Sequence, residues 1–331
     1  MPFEEEVYVE QPSGFLARNR ELKFYKLKKA MYGLKQAPRY WNKRINDFLN
    51  KFGFNKCVSD HGVYLKTDTS ERVIILCLYV YDLLITGSNK KCISKFKCEL
   101  MKEFEMTDLG LMTYFPGIEF HKPKMGLIMH QRRYTVEILK KCEMENCNAS
   151  ITPVEPRLQL SKSEDEKDVD LTQCRILIGS LHYLCNTRPN LVFSVSVVSK
   201  FMEKQKVSHL EEDKRILRYA KGTIGCRIFF PKVYMGIRGN FFGFIDPNWC
   251  GDKYGQKSTN GYIFMFGRTS TSWCLKKEPV VALLSCEAEY IVASLYVCQV
   301  VWLINLLKEL GNNDGDVVTL MIDNVFMINI S

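Results

Sequence analysis

The chain has no cysteine pair at the CxxC spacing and no histidine at zinc-finger spacing, although it carries 13 cysteines and 5 histidines in 331 residues. The nearest cysteines, Cys142 and Cys147, have no second pair beside them, so a closed zinc site has no support. An odd, scattered set of thiols argues against a disulfide scaffold and for a reducing compartment, cytosolic or nuclear. With 11 prolines and 20 glycines the composition excludes collagen-like sequence, and no internal repeat of useful period is present. The opening residues, MPFEEEVYVEQPSGF, are acidic and broken by proline, which is no signal peptide.

Long apolar runs are also scarce. Tyr290 to Leu307 reaches the minimum length for crossing a bilayer. It contains Ser294, Gln299 and Asn305 and follows Glu287 and Glu289, so it reads as a buried core helix rather than a membrane span. Val73 to Tyr81 is too short to span and rich in β-branched residues, which predicts a central strand.

What is present is an ordinary globular balance, 46% hydrophobic and 25% charged residues, with a formal charge of +9. Excess positive charge suits a polyanionic partner. It is unevenly placed. Residues 20 to 51 hold ten Lys/Arg, among them Lys28, Lys29, Lys35 and Arg39, against only Glu21 and Asp47. Phe24, Tyr25, Tyr32, Tyr40, Trp41 and Phe48 lie between them. Cations neutralise phosphates while aromatic and amide groups meet sugar and base, so this mix suits a nucleic-acid groove. A solvated basic helix face would look the same. In residues 238 to 331 acids outnumber bases, so nucleic-acid affinity is expected from the first two-thirds of the chain. Deleting residues 1 to 60 is therefore expected to flatten the salt dependence of binding.

The turn Gly87-Ser88-Asn89 precedes Ile93, Phe96, Leu100 and Phe104, whose spacing predicts an amphipathic helix from Lys90. Short strands are expected at 114–121 and 126–130, then a helix at 132–145. Pro153, Pro156 and SKSEDEKDVD mark 149–170 as a linker, followed by helices over 171–221 that break at Asn186-Thr-Arg-Pro189. Lys214, Arg215, Arg218 and Lys221 make the last of these basic. From about 238 the pattern changes to strands at 259–267 and 270–275, a helix at 285–310 and a strand at 317–322, which reads as a separate α/β domain.

Three acids in that last part are suggestive. Asp246 follows the strand FFGFI, Asp323 follows VVTLMI, and Glu287 lies in the first turn of the long helix, after Ser285 as an N-cap. Converging carboxylates bind Mg²⁺ through hard oxygens, and two ions held about 4 Å apart serve phosphodiester hydrolysis. The same positions also suit acids that only cap and solubilise. Tyr79-Val80-Tyr81-Asp82 places a further acid after a buried strand.

Taken in order, KLKKAMYGLKQAPRYW (26–41), LYVYDLLITGSN (78–89), YFPGIEF (114–120), GSLHYLCNTRPNLVFSV (179–195), HLEEDKRILRYAKGT (209–223), GFIDPNWCGDKYGQKSTNGYIFMFG (243–267) and WCLKKEPVVALLSCEAEYIVAS (273–294) form a specific set. It resembles the reverse transcriptase and ribonuclease H part of copia-type LTR retrotransposon Pol polyproteins, over nearly the whole chain. The resemblance implies an α+β / α/β chain. Residues 1–148 are a partial reverse transcriptase palm of right-hand polymerase type, and 149–170 a linker. Residues 171–237 are a helical thumb or connection, and 238–331 a ribonuclease H-like domain. It implies RNA, DNA and RNA–DNA hybrid as partners, Mg²⁺ as cofactor and no membrane. Gln36, with Lys28, Lys29, Lys35 and Arg39, would lie at the template and incoming nucleotide.

The resemblance also marks a departure. The family's palm hairpin reads Tyr-Val-Asp-Asp, and here Tyr81 replaces the first acid, leaving Asp82. A phenol with a pKa of about 10 is a poor Mg²⁺ ligand at neutral pH. A second palm acid belongs to a motif expected before Met1, so polymerase activity is not expected from this chain alone. The ribonuclease H acids match Asp246, Glu287 (with Glu289 as the weaker alternative) and Asp323, while a fourth acid and a last helix are expected after Ser331. Three readings stay open: a degenerate Pol fragment, a non-catalytic nucleic-acid-binding remnant, or a ribonuclease working through Asp246, Glu287 and Asp323.

Overall fold

The computed structural model describes residues 6–12, 14, 23–28, 33–67, 72–155, 160, 166–232, 241–248, 257–278, 280–311 and 318–321. By packing, the chain divides into two compact units at Asp108/Leu109.

In the first unit, Trp41, Ile45, Phe48, Leu49 and Phe52 recur at three- and four-residue intervals and turn one face of α1 (Ala37–Lys51) inward. Phe96, Leu100 and Phe104 do the same for α2 (Lys90–Glu103), as the spacing predicts. The side chain of Asn89 caps α2 by accepting from the N–H groups of Lys91 at 2.9 Å and Cys92 at 3.3 Å. The two helices share a core with an antiparallel sheet of β3 (Asn55–Lys56), β4 (Val63–Thr67), β5 (Val73–Tyr79) and β6 (Asp82–Gly87), in that order. The expected central strand is β5, which lies between β4 and β6. Its Ile74 and Leu76 are buried, whereas Val73, Ile75 and Cys77 are only half-covered. Ahead of these, a two-stranded ribbon pairs β1 (Tyr8–Val9) with β2 (Tyr25–Lys26).

The second unit opens with an antiparallel sheet whose strands are Tyr114–Phe115, Ile118–His121, Gly126–His130 and Ile228–Pro231. Four helices follow one another around a single core: α3 (Arg132–Lys141), α4 (Leu171–Leu184), α5 (Val192–Ser199) and α6 (Val207–Gly222). Ile138 and Leu139 of α3 pack with Ile178 and Leu181 of α4, Val195 and Val198 of α5, and Ile216 and Leu217 of α6. Residues 109–148 therefore share their core with the helices of 171–222. The Asn186–Pro189 break is held by Arg188, which is 3% exposed and donates to the Thr223 carbonyl at 3.1 Å and hydroxyl at 2.6 Å.

The linker's described ends are tied down. The Lys206 ammonium meets Asp168 at 2.9 Å and the Glu166 carbonyl at 2.9 Å. Arg215 pairs with Glu155 and donates to the Thr152 hydroxyl, while Lys221 donates to the Cys147 carbonyl at 2.5 Å. Of the four cations of α6, Arg215 thus holds the chain's own linker and Lys221 the residues just before it. Lys214 stays exposed.

Four strands close the second unit in the order Thr269–Lys277, Thr259–Phe266, Phe241–Asn248, Thr319–Met321. The first two pairings are antiparallel and the last is parallel, with Phe242, Gly243 and Phe244 opposite Thr319, Leu320 and Met321. Gly243 is required there, because a Cβ would lie 2.4 Å from the Phe264 ring. The helix Ser285–Glu309 crosses between the outer strands and packs Val292, Tyr296 and Val300 on Phe241, Ile245 and Phe264. It is long and apolar enough to cross a membrane by length and composition, yet only 17% of its Tyr290–Glu309 stretch is buried. The expectation of a buried core helix is corrected: one face meets the sheet, while Tyr290, Leu295, Val297, Val301 and Trp302 are exposed on the rest. A helix lying on a single sheet has only one face to bury.

Candidate functional site

Strand β5 turns into β6 through two residues. Tyr79 pairs with Asp82, so Val80 and Tyr81 form the turn of the hairpin. Val80 has φ 53°, a left-handed value that a β-branched residue adopts only at a cost. Strain of this kind clusters at functional sites. Tyr79, Val80 and Asp82 are exposed at the tip, and the Tyr81 ring turns back to lie 6.0 Å from the Trp41 ring of α1. Trp41 meets Phe104 edge-on at 5.3 Å.

That contact brings the tip beside the first turn of α1. Lys35, Gln36 and Arg39 are exposed there, and no acid stands in that turn. The first-turn N–H groups are already taken by the Leu34 and Gln36 carbonyls, so it is the two exposed cations, without a neighbouring acid, that make the helix start attractive to anions. Pro38 suits the position because its missing N–H costs nothing in a first turn. Lys28 is exposed, and Lys29 lies outside the described residues. Other cations of the 20–51 run have structural partners. Lys26 pairs with Glu6, and Arg44 reaches Glu103 at 3.3 Å while its guanidinium sits 4.9 Å above the Phe104 ring. Val80 shapes this tip although the sequence reading assigned it no role, and Trp41, read there as one aromatic of the basic stretch, packs against Tyr81 and Phe104 instead. The signal was a two-residue turn with a β-branched residue in it.

Tested as a cation site, the tip offers Asp82 as its carboxylate and the Tyr81 phenol as its neighbour. These donors do not fit a pair of divalent ions, whose hard oxygens come chiefly from carboxylates and water.

In the last sheet, Asp246 is exposed opposite Gly261. Burial alternates along its strand: Phe241, Gly243 and Ile245 are buried, whereas Phe244 and Asp246 are exposed on the other face. Glu287, in the first turn of the long helix, accepts from the Leu283 N–H at 2.7 Å. It serves the helix start, where Leu284 and not Ser285 holds the cap position. Asp323 and the Glu289 side chain lie outside the described residues. No group of three His, Cys, Asp or Glu that could hold a metal occurs among the described residues. The oxygen donors of Asp246 and Glu287 suit Mg²⁺ by type, while Glu287 is engaged by the Leu283 N–H.

A strained hairpin with one exposed acid lies beside a cationic helix start, and comparisons with known proteins give this arrangement its family. A family profile described as reverse transcriptase (RNA-dependent DNA polymerase) matches residues 2–156. The chain is 36% identical over 307 residues to the retrovirus-related Pol polyprotein from transposon RE1 of Arabidopsis thaliana, covering 93% of this chain and 21% of that protein. It is 37% identical over 317 residues to the corresponding polyprotein from transposon TNT 1-94 of Nicotiana tabacum, covering 93% and 24%. A transposon Ty5-1 protein of Saccharomyces cerevisiae is 31% identical over 300 residues, covering 90% of this chain and 96% of that one. The chain belongs to the copia-type retrotransposon Pol family, in its reverse transcriptase part. It spans about a fifth to a quarter of the plant polyproteins it matches.

Proposed function

We propose that this chain grips RNA, DNA or an RNA–DNA hybrid in the manner of a retrotransposon polymerase but does not itself extend a primer. The observation that carries this is the Tyr81 ring packed toward Trp41 at the position where the family has its first hairpin acid. A phenol cannot replace a carboxylate in holding Mg²⁺ at neutral pH. Phosphates would be met by Lys28, Lys35 and Arg39, with Gln36 beside the nucleotide and Lys29 in the same run. The scattered cysteines suit a cytosolic or nuclear setting.

The test pairs two measurements on one preparation. Anisotropy of a labelled RNA–DNA hybrid should show binding that weakens steeply with NaCl, and primer extension in Mg²⁺ should give no product. Template-dependent extension would overturn the reading, as would binding indifferent to salt.

A second reading, hybrid cleavage, draws support from the strand Thr319–Met321 running parallel beside Phe241–Asn248. Parallel neighbours deliver the residues that follow them to the same end of a sheet. In this reading Asp246, Glu287 and Asp323 would hold Mg²⁺, which when bound supplies an activated water and charge for the leaving oxygen. Asp246 would have to reach the helix side of the sheet, and Glu287 would have to release the Leu283 N–H. Cleavage by the chain that vanishes in Asp246→Asn would establish this reading, and no cleavage by a folded chain would end it.

A further inference from the structure

Gln205 and Asp213 are both fully buried, and the Gln205 amide nitrogen donates to Asp213 Oδ2 at 2.5 Å. Their two remaining oxygens, Gln205 Oε1 and Asp213 Oδ1, are also buried and have no hydrogen-bond partner. Two orphaned acceptors, one on each member of a bonded pair, can both be satisfied by a single proton. An Asp213 O–H would donate to Gln205 Oε1 alongside the existing N–H bond, closing a two-bond ring. Left ionised, the pair would keep two unpartnered buried oxygens, which burial makes unfavourable.

We propose that Asp213 is kept as a neutral carboxylic acid closed onto the Gln205 amide, a proton-dependent latch that fastens the segment before α6 to the helix itself.

The surroundings favour the neutral form. The carboxyl is pushed up to about 7: burial is the largest influence, the Gln205 bond opposes it, and the neighbouring Glu212 adds to the rise. Cys174 faces it from α4, a thiol that burial and then Asp213 push upward. From α3 and α5 the packed side chains are Ile138, Leu139, Val195 and Val198. The buried Lys206 turns its ammonium away to Asp168 and the Glu166 carbonyl. His209 accepts the Lys206 N–H on its Nδ1 at 3.0 Å and stacks on Phe201 at 4.1 Å. These contacts leave the carboxyl without a counter-charge, so a proton from solvent is what completes it.

The latch lies at the point where the linker residues Glu166 and Asp168 are anchored, so its opening would loosen the linker and the start of α6 together. The sign follows from linkage. A carboxyl raised in the folded state contributes stability that is complete below the ordinary aspartate value and lost as pH rises toward its folded value.

The full chain is tested by infrared titration and urea unfolding from pH 4.5 to 8. A protonated-carboxyl band should be present at pH 6 and fade with a midpoint of about 7. It should be absent in Asp213→Asn and retained in Glu212→Gln. The unfolding constant of the wild type should carry a component rising about tenfold per pH unit up to that midpoint, missing in Asp213→Asn. A folded wild type without the band at pH 6, or a folded Asp213→Asn with the wild-type slope, would overturn the latch. If Asp213→Asn does not fold, the wild-type and Glu212→Gln bands decide alone.

Discussion

The ring of Tyr81 lies 6.0 Å from that of Trp41, tilted by 42°. A residue at the exposed tip of a hairpin is thereby joined to a helix that carries the core of its unit. The substitution that removes a carboxylate from the tip has also become a packing element. Restoring the acid has a stability cost separate from any effect on chemistry. Tyr81→Asp is expected to lower stability by about 0.5–1.5 kcal/mol through loss of the aromatic pair. Urea unfolding checks it, and unchanged stability would mean that the contact contributes nothing.

The cationic start of α1 is best probed by charge reversal. Deleting residues 1 to 60 would also remove Ile45 and Leu49, which are fully buried in the core of the first unit. Lys35→Glu and Arg39→Glu leave those residues in place. Each is expected to weaken hybrid binding and to reduce the slope of log affinity against log salt by about one. Identical slopes in wild type and double variant would exclude this face as the phosphate contact.

Phe264 is fully buried between the last sheet and its helix. Phe264→Ala is expected to cost about 3–5 kcal/mol. Calorimetry or urea unfolding would register the loss. A cost under about 1 kcal/mol would show that this sheet and helix are not packed as described.

Cysteine reactivity should follow burial. The Cys185 thiol is pushed up to about 12 by its buried surroundings, whereas Cys98, Cys226 and Cys298 are exposed. Only the thiolate is alkylated. Brief iodoacetamide treatment of the native chain at pH 8, read by peptide mass mapping, should label Cys98, Cys226 and Cys298 and spare Cys185 until denaturant is added.

The outer face of the long helix offers a solubility test. Val297 and Val301 are 45% and 48% exposed. Val297→Lys with Val301→Lys is expected to change stability by less than about 0.5 kcal/mol per site. It should also reduce self-association in sedimentation, because exposed apolar area drives association.

Much of the architecture could be read before any coordinates. Apolar spacing in 93–104 and the 285–310 run marked their helices, and the turn residues Gly87-Ser88-Asn89 marked the start of the first. Both signals are local, and local periodicity survives folding unchanged. The break at Asn186–Pro189 was legible for the same reason. The role of Arg188 in fastening it to Thr223 was not, since that contact joins residues 35 apart. The α6 cations show the limit most clearly. Composition showed Arg215 and Lys221 only as basic residues of the helix, and packing assigned Arg215 to the chain's own linker and Lys221 to the residues just before it. A charge's partner depends on which distant segment lies beside it.

By itself the sequence determined the order of helices and strands, the uneven charge, the ordered motifs that carry the family and the phenol at position 81. These are properties of residue type and spacing along the chain. The tertiary structure decided the rest: that Tyr81 packs toward Trp41, that Asp246 and Ile245 point to opposite faces of one strand, that the long helix buries one side only, and that Gln205 and Asp213 share a dry site. Each depends on which segments meet across space, and on the loss of water where they meet. Spacing along the chain does not encode either.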